Sequence, residues 1–159
     1  MGTSAPTNAG KTYFVCATAQ ASDLDQAGFE GLSWVRVNNV GAFPDYGRSE
    51  NIANYTTLDN GILKGKGSNN AGGGDMDVSR LEADSGQDAL RTAGATKQVY
   101  AFKVVHDDAV SGFTATTDYL RGIVSGPMHP QGGDEDFVLD RFALGFVQHL
   151  RVDPEAVSA

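Results

Sequence analysis

The chain has 159 residues, 40% of them hydrophobic, one cysteine, three histidines and a formal net charge of −8 at pH 7. Residues 1–159 fit a single domain with enough apolar side chains for a core, and the acidic balance argues against tight binding to nucleic-acid phosphates. The lone Cys16 excludes an intrachain disulfide, no apolar run is long enough to span a bilayer, and the N-terminus lacks a charged-then-apolar signal, so the expectation is a protein used without secretion and without a membrane.

Twenty glycines, with many Ser, Thr, Asn and Asp, provide the turns of a mainly β fold. In chain order, residues 1–10 read as an N-terminal arm with no core of its own. Lys11–Thr18 reads as a first strand, with Cys16 expected as a buried, inert thiol. Ala21–Gly31 reads as a loop with a turn of helix. Ser33–Phe43 reads as a second strand, and Pro44-Asp45-Tyr46-Gly47 as a turn.

Residues 48–74 form an excursion too long for an ordinary connection in a compact domain. Tyr55–Leu58 and Ile62–Lys64 look like short strands around Asn60-Gly61, a strong hairpin signal. The expectation is a projecting β-hairpin arm. Gly72, Gly73 and Gly74 suit a hinge at its base. Asp75–Leu81 then alternates as a half-buried strand, Met76 and Val78 to one side, Asp77 and Ser79 to the other.

Residues 84–93 carry the helix signal. Asp84 can cap it, Gln87 follows three residues later, Ala89, Leu90 and Ala93 form an apolar stripe, and Gly94 is placed to end it. Gln98–His106, Phe113–Val124 and Phe137–Val147 read as the remaining strands, with Asp140 an unexplained break in the apolar face of the last. Residues 150–159 read as a polar C-terminal tail. The fold class is therefore mainly β (α+β), a β-sandwich or barrel with one flanking α-helix and a long hairpin arm.

Chemistry-bearing motifs are weak. Ala5–Thr12 (A-P-T-N-A-G-K-T) fits a relaxed phosphate-loop pattern, but no strand can precede it and a β-type run follows, so it has neither of the flanking elements that make such loops work. Asn54-Tyr55-Thr56 is a glycosylation sequon in a chain without a secretion signal. His106, His129 and His149 have no ligand-type spacing. His106 beside Asp107 and Asp108 reads as a solvated turn, as does Asp134-Glu135-Asp136. With no nucleophile elbow either, the expectation is no enzyme, no cofactor and no metal.

The layout resembles the major tail tube proteins of long, flexible-tailed bacteriophages and their relatives, which include gene transfer agents. The resemblance rests on the order of GKTYFVCA (Gly10–Ala17), SWVRVNNVGAF (Ser33–Phe43), LKGKGS (Leu63–Ser68), DMDVSRL (Asp75–Leu81) and DSGQDALRTA (Asp84–Ala93). Gly86, Gln87, Ala89 and Leu90 match the helix opening best, and two aromatic-rich strands follow. It implies a β-sandwich whose edge strands pair between six copies into a ring with a continuous inner β-barrel. Rings stack helically into a tube that encloses the tape-measure protein. Tail terminator and distal tail proteins join its ends. The tube belongs to the virion tail, assembled in the bacterial host cytoplasm, and DNA passes through it during ejection without specific binding.

On that reading the arm reaches between rings, with Tyr55, Leu58, Asp59, Asn60, Gly61, Ile62, Lys64 and Lys66 as contact candidates. Asp77, Ser79, Thr114, Thr116 and Asp118, on polar strand faces, are candidates for the lumen wall. The competing expectation is a monomeric acidic β-sandwich that binds carbohydrate or a cation.

Overall fold

A computed structural model describes residues 8–156. Among them ten elements follow in order: β1 (Thr12–Cys16), α1 (Gln26–Glu30), β2 (Trp34–Val37), β3 (Val40–Ala42), β4 (Asp45–Thr57), β5 (Gly61–Ser79), α2 (Ser85–Gly94), β6 (Val99–Val105), β7 (Thr117–Met128) and β8 (Leu139–Val152). All strands join one antiparallel sheet in the order β2-β1-β6-β7-β8-β5-β3, with β4 also paired to β5. β2 and β3 lie at opposite edges of this order, yet only Asn38 and Asn39 separate them. Two residues cannot cross a flat sheet of this width, so the sheet curls until its edges nearly meet. Asn39 makes the corner at φ 61°, a left-handed conformation that asparagine tolerates better than most residues.

The period-2 pattern decides what lies inside the curl. Val15 of β1, Tyr100, Phe102 and Val104 of β6, and Leu120 and Val124 of β7 face one buried cluster. So do Phe142, Leu144 and Phe146 of β8 and Met76 and Val78 of β5. Leu90 and Ala93 of α2 complete this cluster. The intervening residues Cys16, Ala101 and Tyr119 point the other way, onto a second cluster around Phe29 of α1, with Trp34, Leu24 and Leu150 at its margin. Phe29 stacks on Tyr119 with ring centroids 5.1 Å apart. Each such fully buried aromatic contributes about 2–3 kcal/mol of apolar burial.

β8 serves both clusters because it is bulged. Phe146 pairs with Gly122 and Gln148 with Arg121, so Val147 is an extra residue in the ladder. The bulge reverses the alternation. Phe146 therefore belongs to the inner cluster, while Leu150 and Val152 reach the outer one.

Helix α2 locks the corner. Asp84 accepts from the Gln87 backbone N–H at 3.0 Å and from the Asn38 side chain at 2.5 Å. Gln87 is fully buried, and its amide is fully used. It accepts from the Leu81 N–H at 2.9 Å and donates to the carbonyls of Asn38 and Ser79 at 2.9 and 3.0 Å. One side chain thus joins the β2–β3 corner, the end of β5 and the helix. Gly86 permits this approach: a Cβ there would overlap the carbonyl of Arg36.

The structure departs from the expected elements at several points. Ser33–Phe43 is two strands because the corner falls inside it. Among the described residues there are two helices, α1 being a complete short one capped by Asp25. Asp45 already begins β4, so the expected turn at residues 44–47 is largely strand. The glycine triplet is no hinge but lies within β5, and of the expected strand Asp75–Leu81 the part to Ser79 is the end of that same strand. Phe113 is exposed and precedes β7, which starts at Thr117 and runs to Met128. β8 runs from Leu139 to Val152, so residues 150–152 are strand rather than tail. Residues 1–7 of the expected N-terminal arm and 157–159 of the tail lie outside the described residues.

Gly86→Ala should lower unfolding free energy by about 1–3 kcal/mol in chemical denaturation, because backbone rather than a flexible side chain must yield. Gly65→Ala, where a Cβ meets nothing within 4 Å, should stay within about 0.5 kcal/mol of the parent.

Candidate functional site

The arm is the distal part of β4 and β5. Ten registered pairs join them, from Asp45 with Gly73 at the root to Thr57 with Gly61 at the tip. Thr57 Oγ1 accepts from the Asn60 N–H at 3.1 Å and donates to the Gly61 carbonyl at 2.8 Å, closing the turn through Leu58, Asp59 and Asn60. At the root three strands crowd together. A Cβ on Gly72 would overlap the carbonyl of Asp45, and one on Gly73 would come within 2.6 Å of the Leu144 carbonyl. Glycines at this junction, beside a register shift between Tyr46 and Ser49, let β5 pass from a two-stranded ribbon into the body.

The ribbon has an unusual surface. Ile52, Tyr55, Leu58, Ile62 and Leu63 are all exposed, Leu58 completely. By register, Asn54 faces Lys64, Ile52 faces Lys66 and Thr56 faces Ile62, so these six share one side. Tyr55 pairs with Leu63 on the other. Among the described residues β4 has no strand on its outer edge. β8 accompanies β5 only from Gly73 onward. Both edges of the ribbon therefore present unpaired backbone groups, the condition that favours strand addition. All eight arm residues expected at an inter-ring contact sit together here and are exposed.

A charged cluster bolts the arm root to the body. Asp118 of β7 is buried on the core side of its strand. It accepts from Tyr46 of β4 at 2.9 Å, from His106, one residue past β6, at 2.6 Å, and from His149 of β8 at 2.9 Å. Burial by itself raises the Asp118 pKa. The hydrogen bonds from His149, His106 and Tyr46 outweigh it and bring the carboxyl to about 2. The Tyr46 hydroxyl is pushed well above its ordinary value, by burial first and then by its bond to Asp118. His106 is therefore not part of a solvated turn. The neighbouring Asp108 instead binds Thr116 through its backbone N–H at 2.8 Å and its hydroxyl at 2.6 Å, which lowers the Asp108 pKa.

A second buried carboxylate explains the break in the last strand. Asp140 is 1% exposed and faces inward beside Val78. His129 Nδ1 lies 2.9 Å from it and Arg91 of α2 3.3 Å. All three histidines of the chain thus sit on two inward-facing aspartates, a pairing that no sequence spacing signals. Opposite-sign partners and hydrogen bonds are what make such buried charges tolerable.

The five lumen candidates occupy different surroundings. Thr116 and Asp118 are buried within the chain. Thr114 is exposed and exchanges hydrogen bonds with Glu155. Ser79 is half-buried beside the Asn39 corner. Asp77 is half-buried on the outer face, paired with Arg141 at 2.7 Å across the ladder, so its charge is largely compensated. Among the described residues no group of His, Cys, Asp and Glu is arranged to hold a metal ion. The phosphate-loop-like stretch lies partly outside the described residues. Cys16 is buried.

No family model matches the chain, and no curated protein matches its sequence. Its fold is similar to that of a chain in the six-fold-symmetrised cryo-EM structure of the anti-feeding prophage (AFP) baseplate. The TM-score is 0.64 over 96% of this chain and 98% of that one, at 9% sequence identity. At that identity the likeness is one of fold.

Asp118 is depressed in the folded state, so its stabilisation is present above an ordinary carboxylate pKa near 4 and fades as pH falls towards about 2. Asp118→Asn should cost about 2 kcal/mol near neutral pH. In denaturant melts across the acid range, the gap to the parent should narrow steadily below about pH 4.

Proposed function

We propose that this chain is a structural rather than catalytic protein, a self-assembling subunit of a phage-type tail. Six copies pair sheet edges into a ring, and rings stack into a tube through their arms. The observation that carries this reading is the arm: a ribbon with two open edges and five exposed large apolar side chains, projecting from a body whose curled sheet is nearly closed. A lone two-stranded ribbon is at best marginal in water, and one that gains neighbours on both edges becomes part of a sheet. Heterologous pairing of sheet edges closes into a ring when its rotation allows, and the arms then join one ring to the next. The likeness in fold to a chain of a six-fold assembly supports the same direction.

The formal charge of −8 suits a conduit. A cationic bore would bind phosphates at every ring and hold the DNA, whereas an acidic or neutral wall does not. Asp77, Ser79 and Thr114 keep accessible surface and remain the candidates for that wall. The tape-measure protein inside the tube, a terminator and distal tail proteins at its ends, and the virion tail as the location belong to the same proposal.

Negative-stain imaging of the purified chain tests it. Rings or tubes with a regular axial repeat are expected. A monomer that stays single at high concentration, even with tail initiators present, would favour an acidic binding module instead. Deleting Asp59–Ile62 should leave the subunit's melting transition in place, because these residues are exposed, while abolishing stacked tubes.

A further inference from the structure

Strand β5 runs unbroken from the arm tip at Gly61 to Ser79, so its ends mark opposite poles of the molecule. At about 3.3 Å per residue its 19 residues span about 60 Å. The far pole has its own exposed apolar surface. The ladder continues past Ser79 through the bond from Arg80 N–H to the Val138 carbonyl at 2.9 Å, which brings Leu81 level with Phe137. Phe137 is 80% exposed, Val138 62% and Leu81 41%, and Met128 at the end of β7 is 71% exposed. Beside them the loop from Pro130 to Asp136 holds three carboxylates and no cation. Asp136 binds the Gly133 N–H at 2.7 Å. Asp134 and Glu135 enter no ion pair among the described residues.

The arm has the complementary chemistry. Residues 48–66 contain Arg48, Lys64 and Lys66 against Glu50 and Asp59, a local charge of +1 in a chain of −8. Lys64 and Lys66 share a side with Ile52 and Ile62, so cations and apolar groups face one way. Lys64 makes no ion pair among the described residues, and Lys66 reaches only Glu50, at 3.6 Å.

We propose that the far pole is the seat for the arm of a second copy in the adjoining ring. Ile52, Leu58 and Ile62 cover Phe137, Met128 and Leu81, which share one side of the ladder, while Lys64 and Lys66 face Asp134 and Glu135. The contact rests on the stacking reading above and adds its address. It also gives the stack a direction. Two acidic poles repel, as do two basic arms, so only head-to-tail contact satisfies both, and such a contact propagates instead of closing on a pair.

Charge reversal on the full chain tests this, read by sedimentation and negative-stain imaging beside the parent. Asp134→Lys with Glu135→Lys should raise the protein concentration needed for tubes by about a hundredfold, and Lys64→Glu with Lys66→Glu should do the same. Combining all four changes should restore tubes near the parent concentration, which also shows that the variants fold. If the reversed pole assembles like the parent, or the combined variant recovers nothing, the seat lies elsewhere while tube formation stands. If the parent itself forms no tubes, the stacking reading falls and this contact with it.

Discussion

Strand β5 carries two different hydrogen-bonding conditions along one backbone. From Gly73 to Ser79 it pairs with β8 along one edge, with β4 beside it at Gly73 and β3 at Asp77 and Val78 on the other; from Gly61 to Gly72 only β4 accompanies it. The first half is interior to a curled sheet, and its side chains Met76 and Val78 are buried. The second half has no core beneath it. Backbone groups that find no partner within the chain must be met by water or by another strand, and this asymmetry accounts for the exposed apolar arm, the glycine junction and the case for assembly.

The body is organised to hold that ribbon at a defined angle. Asp118 gathers side chains from β4, from the residue after β6 and from β8 around one carboxylate, so the arm root is tied to three other strands by polar bonds. Phe43 adds apolar weight nearby, stacked on Tyr13 with centroids 4.7 Å apart. Towards the opposite pole, Asp140 links α2 to β8 through Arg91 and to the residue after β7 through His129. Buried ion pairs are poor measures of stability, but removing one partner strands a charge. Their effect here is geometric: Asp118 ties β4 to β7 and β8, with which β4 shares no backbone ladder, and Asp140 ties helix α2 to β8.

Charge follows the same axis. The body carries the acidic excess, the arm a small basic one. Among pairs at or near the surface, Arg141 with the half-buried Asp77 and Arg80 with Glu82 contribute little energy each. Their arrangement matters more for which surfaces can meet than for how tightly the chain folds.

Much of this was readable from local pattern. The alternation at Tyr100, Phe102 and Val104, the Asp84 cap with Gln87, the apolar stripe of Ala89, Leu90 and Ala93, and the Asn60-Gly61 hairpin all depend on neighbours a few residues away. Such signals survive in a sequence because side-chain period and turn chemistry are local properties. They established a mainly β fold, one of its two helices, a projecting arm and the exposure of all eight arm candidates. Tertiary structure alone decided the rest. The corner at Asn38 and Asn39 exists because the sheet's two edges come close there, a constraint set by strands as distant as β5. The bulge at Val147 changes the period that the sequence advertised. The pairing of His106 and His149 with Asp118, and of His129 and Arg91 with Asp140, joins residues 11 to 49 positions apart. Long-range pairing leaves no mark on local periodicity, because a buried charge is acceptable only once its partner from another strand has arrived.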